Sequence, residues 1–361
     1  MKILFIITGL GMGGAEHVVI NLADALSNRN HEVQIVFLTG ELLVRPKNSN
    51  IKVTSLNLDK PLHFFKSYLK LTHIVRAMKP DVIHSHMFHA NILARLLRLT
   101  TPLPRLICSS HNTNEGGKIR MLAYRYTDRL ADISTNVSQE AVDELIKKGA
   151  FLPNRIVKVV NGINTNNFKF NTQARIKLRQ ELNLNDDIKM ILAVGRLEHQ
   201  KDYPNLFHAI RKLVEKRNDF KLLIAGDGPL KSELLQLSKE LKIDNYIEFL
   251  GVRRDIPHLM CACDTFVLSS AWEGFGLVVA EAMACERVVV ATDCGGVNEV
   301  LGNNGFLVPP RNSQALSQAL HNSLDMPDKK RALIGIKARE YILNNFSLKA
   351  NVNNYLDLYY K

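Results

Sequence analysis

Two glutamates lie eight residues apart in Trp272-Glu273-Gly274-Phe275-Gly276-Leu277-Val278-Val279-Ala280-Glu281, on either side of two glycines. The apolar residues after Gly276 predict a helix, and backbone N–H groups at a helix start attract an anion such as a diphosphate. Glycines allow such a ligand to come close. Each carboxylate can accept hydrogen bonds from vicinal hydroxyls, one on a hexose before the helix and one on a ribose a turn into it. The pattern therefore indicates a site for a phosphorylated sugar, and the alternative is a pair of surface glutamates.

A second segment places two cations after an apolar run, in Gly195-Arg196-Leu197-Glu198-His199-Gln200-Lys201-Asp202. Arginine offers a planar fork and lysine a point charge, a combination that suits the oxygens of a diphosphate. The alternative is that both form surface salt bridges, with Glu198 and Asp202. After a later apolar run, Val252 in Gly251-Val252-Arg253-Arg254 is a candidate to border a base ring.

A glycine-rich loop, Thr8-Gly9-Leu10-Gly11-Met12-Gly13-Gly14-Ala15-Glu16, follows the first apolar run and opens a predicted helix. Its glycines allow an anion to approach a helix N-terminus. The loop matches the dinucleotide fingerprint only formally, because no acidic residue ends the second predicted strand at Phe37. We therefore expect no nicotinamide or flavin cofactor.

Four histidines are candidate site residues in the first half. His111, in Ser109-Ser110-His111-Asn112-Thr113, follows a predicted strand and can hydrogen-bond a sugar hydroxyl or a phosphate. The alternative is a partly buried structural histidine. His84, His86 and His89 lack carboxylate partners nearby in the sequence, so we expect no metal site.

Short apolar runs alternate with longer helical patterns along the whole chain, which is typical of parallel sheets covered on both faces. The first predicted crossover helix begins near Gly14 and runs through Leu26. The predicted strands of the first half are Lys2–Ile7, Glu32–Phe37, Val53–Leu56, Val82–His84, Arg105–Ser109, Ile133–Val137 and Ile156–Val159. Those of the second half are Met190–Val194, Lys221–Ala225, Ile247–Leu250, Thr265–Leu268 and Val288–Ala291. Two doubly wound α/β domains are expected, joined near the turn-forming segment 160–168.

The composition fits a folded protein of more than one domain. The chain has 361 residues, of which 46% are hydrophobic and 23% charged. Its five scattered cysteines indicate reduced core thiols. No signal peptide or membrane-spanning segment is recognised, so we expect a cytoplasmic protein.

Positive charge is concentrated in the first half, where residues 1–165 carry +9 of the net +12. Between Lys60 and Arg105 there are eight Lys/Arg and one acidic residue, Asp81. Such a patch attracts phosphate-rich partners, and the segment 63–76 combines cations with apolar residues at helical spacing, as an interfacial helix does. The alternative is an ordinary amphipathic helix that packs on the sheet. Nucleic acid is not expected, because no nucleic-acid-binding motif accompanies the charge.

Taken in order, the motifs resemble the retaining GT-B glycosyltransferases of family 4. The resemblance covers nearly the whole chain, from residue 3 to beyond Pro309. The segments that carry it are Gly13-Gly14-Ala15-Glu16, His111, Asn161-Gly162-Ile163, Gly195-Arg196 with Lys201, Gly226-Asp227-Gly228-Pro229 and Glu273 to Glu281.

The resemblance implies two Rossmann-like domains that face each other across a cleft. Residues 1–165 would form the acceptor-binding domain, and a C-terminal helix at about 346–361 would pack back on it. Residues 166–345 would form the domain that binds the nucleotide sugar.

The same resemblance implies roles for individual residues. The groups around the diphosphate would be Arg196, Lys201, the backbone of Phe275, Gly276 and Leu277, and the first-domain glycines Gly13 and Gly14. Glu273 would contact the donor hexose and Glu281 the ribose. His111 would lie near the transferred sugar, although Asn112 follows it where many relatives have Asp.

The implied reaction is transfer of a hexose or N-acetylhexosamine, with retention, from a nucleotide-diphosphate sugar to a saccharide acceptor. UDP is the favoured nucleotide, no metal or other cofactor is expected, and the basic first half suggests a lipid-linked acceptor at the inner face of the cell membrane. This would suit the biosynthesis of surface polysaccharide or lipopolysaccharide. The alternatives are a sugar-nucleotide epimerase on the same fold and a non-catalytic protein that binds the membrane surface. The sugar, the linkage position and the oligomeric state stay open.

Overall fold

The computed structural model describes residues 1–112, 116–185 and 187–361. The chain forms two compact units, Met1–Gly162 together with Leu348–Lys361, and Ile163–Ser347. For comparison, the sequence analysis placed the boundary after residue 165 and assigned the segment from about 346 to the first domain. Each unit is a parallel sheet with helices on both faces, so the predicted α/β class is confirmed.

Unit 1 contains a seven-stranded parallel sheet with the strand order β3-β2-β1-β4-β5-β6-β7. Its strands are β1 (Lys2–Ile7), β2 (Glu32–Phe37), β3 (Lys52–Ser55), β4 (Val82–His86), β5 (Leu106–Ser109), β6 (Ile133–Asn136) and β7 (Ile156–Lys158). Its helices are α1 (Gly14–Ser27), α2 (Phe64–Met78), α3 (Phe88–Leu97), α4 (Lys118–Thr127), α5 (Gln139–Lys147) and, from the end of the chain, α14 (Leu348–Tyr360).

The core of unit 1 has two sides because successive residues of β1 point to opposite faces of the sheet. Ile3, Phe5 and Ile7 lie in a buried cluster with α1 and α14. Leu4 and Ile6 lie in another, with α2 and α3. A strand that is apolar on both faces needs helices on both faces of the sheet. The C-terminal helix α14 packs, together with α1, on one of these faces.

Unit 2 contains a six-stranded parallel sheet with the strand order β10-β9-β8-β11-β12-β13. Its strands are β8 (Lys189–Val194), β9 (Phe220–Ala225), β10 (Ile247–Gly251), β11 (Thr265–Leu268), β12 (Val288–Thr292) and β13 (Phe306–Val308). Its helices are α6 (Thr172–Glu181), α7 (Tyr203–Val214), α8 (Lys231–Glu240), α9 (Ile256–Ala262), α10 (Leu277–Ala284), α11 (Val297–Leu301), α12 (Ser313–Leu324) and α13 (Asp328–Asn345).

The strand order of both sheets reverses at one point, next to the first strand of each unit. In unit 1 the reversal lies between β1 and β4, and in unit 2 between β8 and β11. Loops at the carboxyl ends of such neighbouring strands diverge and leave a crevice in which ligands bind. The reversal therefore singles out the loops after β8 and β11 in unit 2, and those after β1 and β4 in unit 1.

Most predicted strands agree with the structure within two residues at each end. One strand, Phe306–Val308, was missed, because three residues between a glycine and a proline are too few for a periodic pattern. The predicted end of the fourth strand at His84 was wrong, since this strand continues to His86. Thr113 of the predicted histidine motif lies outside the described residues.

The cysteines and the lengths of the helices can be compared with what the composition predicts. All five cysteines are buried free thiols. Among the described helices, none combines the length and the apolar character needed to cross a membrane.

Asp264 ties the switch-point strands of unit 2 to α6. This buried carboxylate lies 2.6 Å from Arg175 Nη2 and 3.2 Å from Arg179 Nη1, and it accepts the Met190 N–H at 2.8 Å. It stands immediately before β11, and Met190 lies in β8. Removing one partner of a buried, hydrogen-bonded ion pair lowers the free energy of unfolding strongly, because the other charge is left buried without compensation.

Replacing Asp264 by alanine should therefore destabilise unit 2. Loss of the carboxylate leaves two arginines without their partner, at a cost of about 3–5 kcal/mol. The corresponding calorimetric transition should fall by roughly 10 °C. Glu215→Ala is the control, since that side chain is 62% exposed and its pair with Arg211 contributes little. Equal melting temperatures for the two variants would show that Asp264 does not anchor these strands.

Candidate active site

The loop after β11 leads into α10 through a glycine with a left-handed backbone. Gly276 has φ +80° and precedes the first helical residue, Leu277. An added Cβ on Gly295 would lie 1.9 Å from the carbonyl oxygen of Glu273, so a second glycine lets the neighbouring segment pack against this loop. The N–H groups of the first turn of α10 have no intrahelical acceptor and carry the positive end of the helix dipole.

Glu273 is buried in this loop with only 7% of its surface exposed. Its Oε1 lies 2.5 Å from Lys201 Nζ and accepts a hydrogen bond from the Ser270 hydroxyl at 2.7 Å. Burial of a carboxylate is costly unless it is paired and hydrogen-bonded, and both conditions hold here. The sequence analysis assigned Lys201 and Glu273 to different parts of a ligand, whereas the structure joins them in one ion pair.

Three further hydrogen bonds hold the loop after β8 against the loop after β11. The side-chain amide of Gln200 donates to the Trp272 carbonyl at 3.1 Å and to Glu273 Oε2 at 3.4 Å. The Ala271 N–H donates to the Gln200 carbonyl at 2.9 Å. The Lys201–Glu273 ion pair is thus flanked by hydrogen bonds that join the two loops.

Lys201 ends a 3₁₀ turn, His199–Lys201, and is followed by Asp202 in a left-handed conformation with φ +46°. Its aliphatic chain passes close to Gly195, where an added Cβ would lie 2.9 Å from Lys201 Cε. Any larger residue at position 195 would push the lysine away from its carboxylate.

Arg196 forms the surface salt bridge that the sequence analysis gave as the alternative. Its Nη1 lies 3.0 Å from Glu198 Oε1, and its side chain is 62% exposed. In the described part of the chain it has no hydrogen bond to Lys201 or Glu273. The guanidinium of Arg196 therefore lies in an exposed ion pair, whereas the ammonium of Lys201 lies in a buried one.

Glu281 lies one turn into α10 and has a different environment from Glu273. Its partly buried carboxyl has no hydrogen-bond partner among the residues that the structure describes, and burial raises its pKa to about 8. Val252 follows Gly251, which has φ +65°, and its side chain is exposed. Within the described ranges neither residue contacts Lys201 or Glu273 by a hydrogen bond or ion pair.

In unit 1 the glycine loop leads into α1, and Gly13 is the residue before the helix. A Cβ at Gly13 would collide with the carboxylate of Glu16, so this side chain folds over the start of the helix. Gly14 is the first helical residue. An anion that binds at this N-terminus would require the Glu16 side chain to move.

Three histidines lie near the carboxyl ends of β4 and β5. His84 Nδ1 is 2.7 Å from the Tyr359 hydroxyl, and its Nε2 is 2.6 Å from the Ser109 hydroxyl. His86 Nδ1 lies 3.0 Å from His111 Nε2. Burial lowers the pKa of His84 and His86 well below the usual range and that of His111 to about 4. All three rings are therefore neutral at physiological pH.

Sequence reasoning missed the residues that orient the site. Ser270 and Gln200 are ordinary polar residues, and only their hydrogen bonds to Glu273 show their part. His86 was considered only as a metal ligand, whereas it contacts His111. Among the described residues, no three His, Cys, Asp or Glu side chains are grouped so as to hold a metal ion.

Comparisons with known proteins extend over nearly the whole chain. Residues 12–167 match the family described as Glycosyltransferase Family 4, and residues 174–341 match the family described as Glycosyl transferases group 1. The crystal structure of Anabaena HepE in complex with UDP and glucose has a TM-score of 0.87 and 24% identity, with 99% of this chain and 98% of that chain covered.

Two characterised relatives cover similar lengths. One is the N-acetylgalactosamine-N,N'-diacetylbacillosaminyl-diphospho-undecaprenol 4-alpha-N-acetylgalactosaminyltransferase of Campylobacter jejuni, 29% identical over 94% of this chain and 94% of its own. The other is the UDP-Gal:alpha-D-GlcNAc-diphosphoundecaprenol alpha-1,3-galactosyltransferase of Escherichia coli, 26% identical over 96% of this chain and 94% of its own. With the two family matches and the GT-B fold of its structural neighbours, this chain belongs to the group 1 glycosyltransferases of family 4.

Proposed function

We propose that this glycosyltransferase moves a hexose or N-acetylhexosamine, with retention, from a UDP sugar to a saccharide carried on a lipid diphosphate. The observation that carries the proposal is the Lys201–Glu273 pair at the switch point of unit 2, beside the N-terminus of α10. This arrangement offers a fixed cation, helix N–H groups and carboxylate acceptors to one ligand.

The donor diphosphate is assigned to Lys201 and the start of α10. An ammonium has three N–H donors, and Glu273 takes one of them, so the others can reach phosphate oxygens. Arg196 would leave Glu198 and add its planar fork once the ligand is bound. The exchange costs little, because an exposed salt bridge is weak.

The two glutamates are assigned to hydroxyl groups. Glu273 Oε1 accepts from Lys201 and Ser270, and Oε2 accepts from Gln200 at 3.4 Å. Because each carboxylate oxygen can accept more than one hydrogen bond, these contacts are compatible with an added bond from a hexose hydroxyl. Glu281 is partly buried and can accept from a ribose. Hydrogen bonds from hydroxyls favour the ionised carboxylate and would lower its raised pKa.

The proposed reaction breaks the bond between the anomeric carbon and the diphosphate oxygen, and negative charge develops on the leaving phosphate. Lys201, Arg196 and the helix start would stabilise this charge by preorganised electrostatics, without a divalent ion. The acceptor hydroxyl attacks the face from which the phosphate departs and gives its proton to that phosphate. The names of both relatives specify an alpha linkage in the product. An alpha-linked nucleotide sugar gives such a product when the configuration of the anomeric carbon is retained.

The relatives favour transfer over the alternatives. Both are named as transferases, whereas an epimerase would release an altered nucleotide sugar. A non-catalytic protein that binds the membrane surface would not require a buried Lys201–Glu273 pair at the switch point of unit 2. Product analysis with and without acceptor separates transfer from epimerisation.

The lipid-linked acceptor is supported by the relatives' names and by α2. Both names contain a diphospho-undecaprenol-linked saccharide. One face of α2 packs on the sheet through Leu71 and Val75, while Phe65 and Leu69 on the other face are 79% and 66% exposed. An exposed apolar face with neighbouring lysines is typical of a helix that binds an anionic membrane surface.

Lys201→Ala should abolish transfer. Loss of a preorganised donor to the leaving group costs on the order of 10²–10³-fold in kcat. Transfer to a lipid-linked saccharide is measured by mass spectrometry, and circular dichroism checks that the fold is retained. Lys239→Ala, at an exposed lysine of α8, is the control. Chelators should leave the wild-type rate unchanged, so full activity of the Lys201 variant or strict metal dependence would overturn this mechanism.

Affinity for the donor should rise with pH as Glu281 ionises. Its pKa is about 8 without ligand, so the carboxyl is mostly protonated at pH 6.5, whereas ribose hydroxyls bind the ionised form better. Calorimetric titration with UDP-N-acetylgalactosamine should give roughly tenfold tighter binding at pH 8.5 than at pH 6.5. Glu281→Gln should bind weakly and equally at both values. An unchanged pH dependence in this variant would exclude Glu281 as the group involved.

Charge reversal on α2 should weaken membrane binding. The double variant Lys66→Glu with Lys70→Glu should co-sediment with phosphatidylglycerol vesicles at least about tenfold less, because each lysine near the surface contributes on the order of 1 kcal/mol. The matched control is Lys147→Glu with Lys148→Glu, which makes the same change of net charge at the C-terminal end of α5. Equal losses in both variants, or no preference of the wild type for anionic vesicles, would leave α2 without a membrane role.

A further inference from the structure

Helix α4 presents an apolar face to solvent. Ile119, Leu122 and Tyr126 are 84%, 53% and 81% exposed. Their spacing of three and four residues places them side by side on one face of the helix. Exposed apolar residues that occur singly are ordinary, whereas a row of three on a helix of ten residues marks an interaction surface.

The opposite face of α4 anchors the helix to unit 1. Met121 and Tyr124 are buried there. The ring of Tyr124 meets the ring of Phe88 edge to face, with centroids 5.1 Å apart, so α4 packs on the start of α3. The core of unit 1 therefore accounts for one apolar face of α4 and leaves the other exposed.

The exposed charges of this segment are positive. The basic residues that are exposed in and after α4 are Lys118, Arg120, Arg125 and Arg129. Among residues 116–131, all of which the structure describes, the one acidic residue is Asp128. It is buried and lies 3.3 Å from Arg95 Nη2 and 2.9 Å from Arg155 Nε, so it does not offset the charge of the surface.

This combination decides which partner fits the apolar face of α4. An apolar face bordered by cations matches the acyl boundary and the headgroups of an anionic membrane. A second copy of the chain, docked through the same face, would bring like charges together, which is unfavourable.

α2 and α4 lie on the same face of the unit 1 sheet, with α3 between them. α3 packs on both helices. α2, α3 and α4 connect strands that are crossed in one direction along the sheet order, and right-handed crossovers then leave the helices on one face. α1 and α14 pack on the other face.

We propose that α4 is a second membrane contact, and that unit 1 docks on an anionic bilayer through α2 and α4 together. The acyl boundary takes Ile119, Leu122 and Tyr126, while lipid phosphates pair with the cations beside them. The biological purpose of this contact rests on the proposed function, whereas vesicle binding requires neither donor nor acceptor.

The positions of the apolar residues set the orientation of unit 1 on the membrane. α2 follows β3 and α4 follows β5, so both helices begin at the carboxyl edge of the sheet. Phe65 and Leu69 lie in the first half of α2, and Ile119 and Leu122 lie in the first half of α4. The carboxyl edge, where the crevice of the strand-order reversal opens, therefore faces the membrane and a saccharide carried on a lipid.

Tryptophan substitutions map the docking face. The chain has one tryptophan, Trp272, so each variant is read as the change from the wild type. Phosphatidylglycerol vesicles with brominated acyl chains should quench the added fluorescence of Tyr126→Trp. Tyr360→Trp is the matched control and should not be quenched, because Tyr360 is 68% exposed on α14, on the opposite face of the sheet. No quenching of Tyr126→Trp, or equal quenching of the control, would overturn the proposal.

The orientation is read along α2. Phe65 lies in the first half of this helix, and His73, which is also exposed, lies in the second half. The same vesicles should quench Phe65→Trp more strongly than His73→Trp. The reverse order would overturn the orientation.

Removal of the apolar face tests its contribution to binding. The triple variant Ile119→Ser with Leu122→Ser and Tyr126→Ser should co-sediment with phosphatidylglycerol vesicles at least about tenfold less, because burial of even one large apolar side chain contributes about this factor. The matched control is a triple serine variant at three exposed apolar residues of α13, Leu333, Ile336 and Leu343. Circular dichroism checks that both variants fold. Equal binding by the two variants would overturn the proposal.

Other occupants of this face give different results. In sedimentation velocity without vesicles, the wild type and the α4 serine variant should have the same mass. A wild-type dimer that the variant abolishes would assign the face to a second copy and overturn the proposal. Quenching of Tyr126→Trp without transfer to a lipid-linked saccharide would support the docking and remove the proposed function. Transfer without quenching would do the reverse.

Discussion

The ion pair between Lys201 and Glu273 is the constraint on which the proposed donor site depends. A buried carboxylate is tolerated only with a partner, so the loop after β11 can adopt its conformation only while the lysine from the loop after β8 reaches it at 2.5 Å. The same contact removes the freedom of a long, flexible side chain before any ligand arrives. A diphosphate would meet a cation that is already oriented, and preorganisation of this kind is the larger part of electrostatic catalysis.

This constraint is possible because of the sheet topology. Lys201 and Glu273 are far apart in the sequence, but β8 and β11 are neighbours at the point where the strand order reverses. The two loops therefore leave the sheet side by side, and glycines at positions 195 and 295 permit the close approach of backbone and side chains. Asp264 fixes the starts of both strands from the opposite end. The fold positions the pair, and the pair in turn orders the loops.

The sequence predicted which residues form the candidate site, but not which of them are joined by ion pairs and hydrogen bonds. The chemistry of Glu273, Glu281, Arg196 and Lys201 follows from residue type and from their place after apolar runs, and strand positions follow from periodicity. The hydrogen-bond and ion-pair partners of these residues cannot be predicted in this way. They depend on which strands are adjacent in a sheet and on side-chain rotamers, and no local sequence pattern encodes either. Sequence alone offered surface salt bridges as the alternative for both cations, and the structure realises this for Arg196 but not for Lys201.

The two glutamates that bracket the loop differ in a way that bears on their chemistry. Glu273 Oε1 accepts from an ammonium and a hydroxyl, and an oxygen engaged twice is a poor nucleophile or base. Desolvation raises the pKa of the partly buried Glu281, a property that a carboxylic acid catalyst would share. A hydrolase needs its second carboxylate free to attack or to activate water, and Glu273 is not free. These environments support the proposal that the two carboxylates hold hydroxyl groups and that the cations, rather than an acid–base pair, stabilise the charge of the reaction.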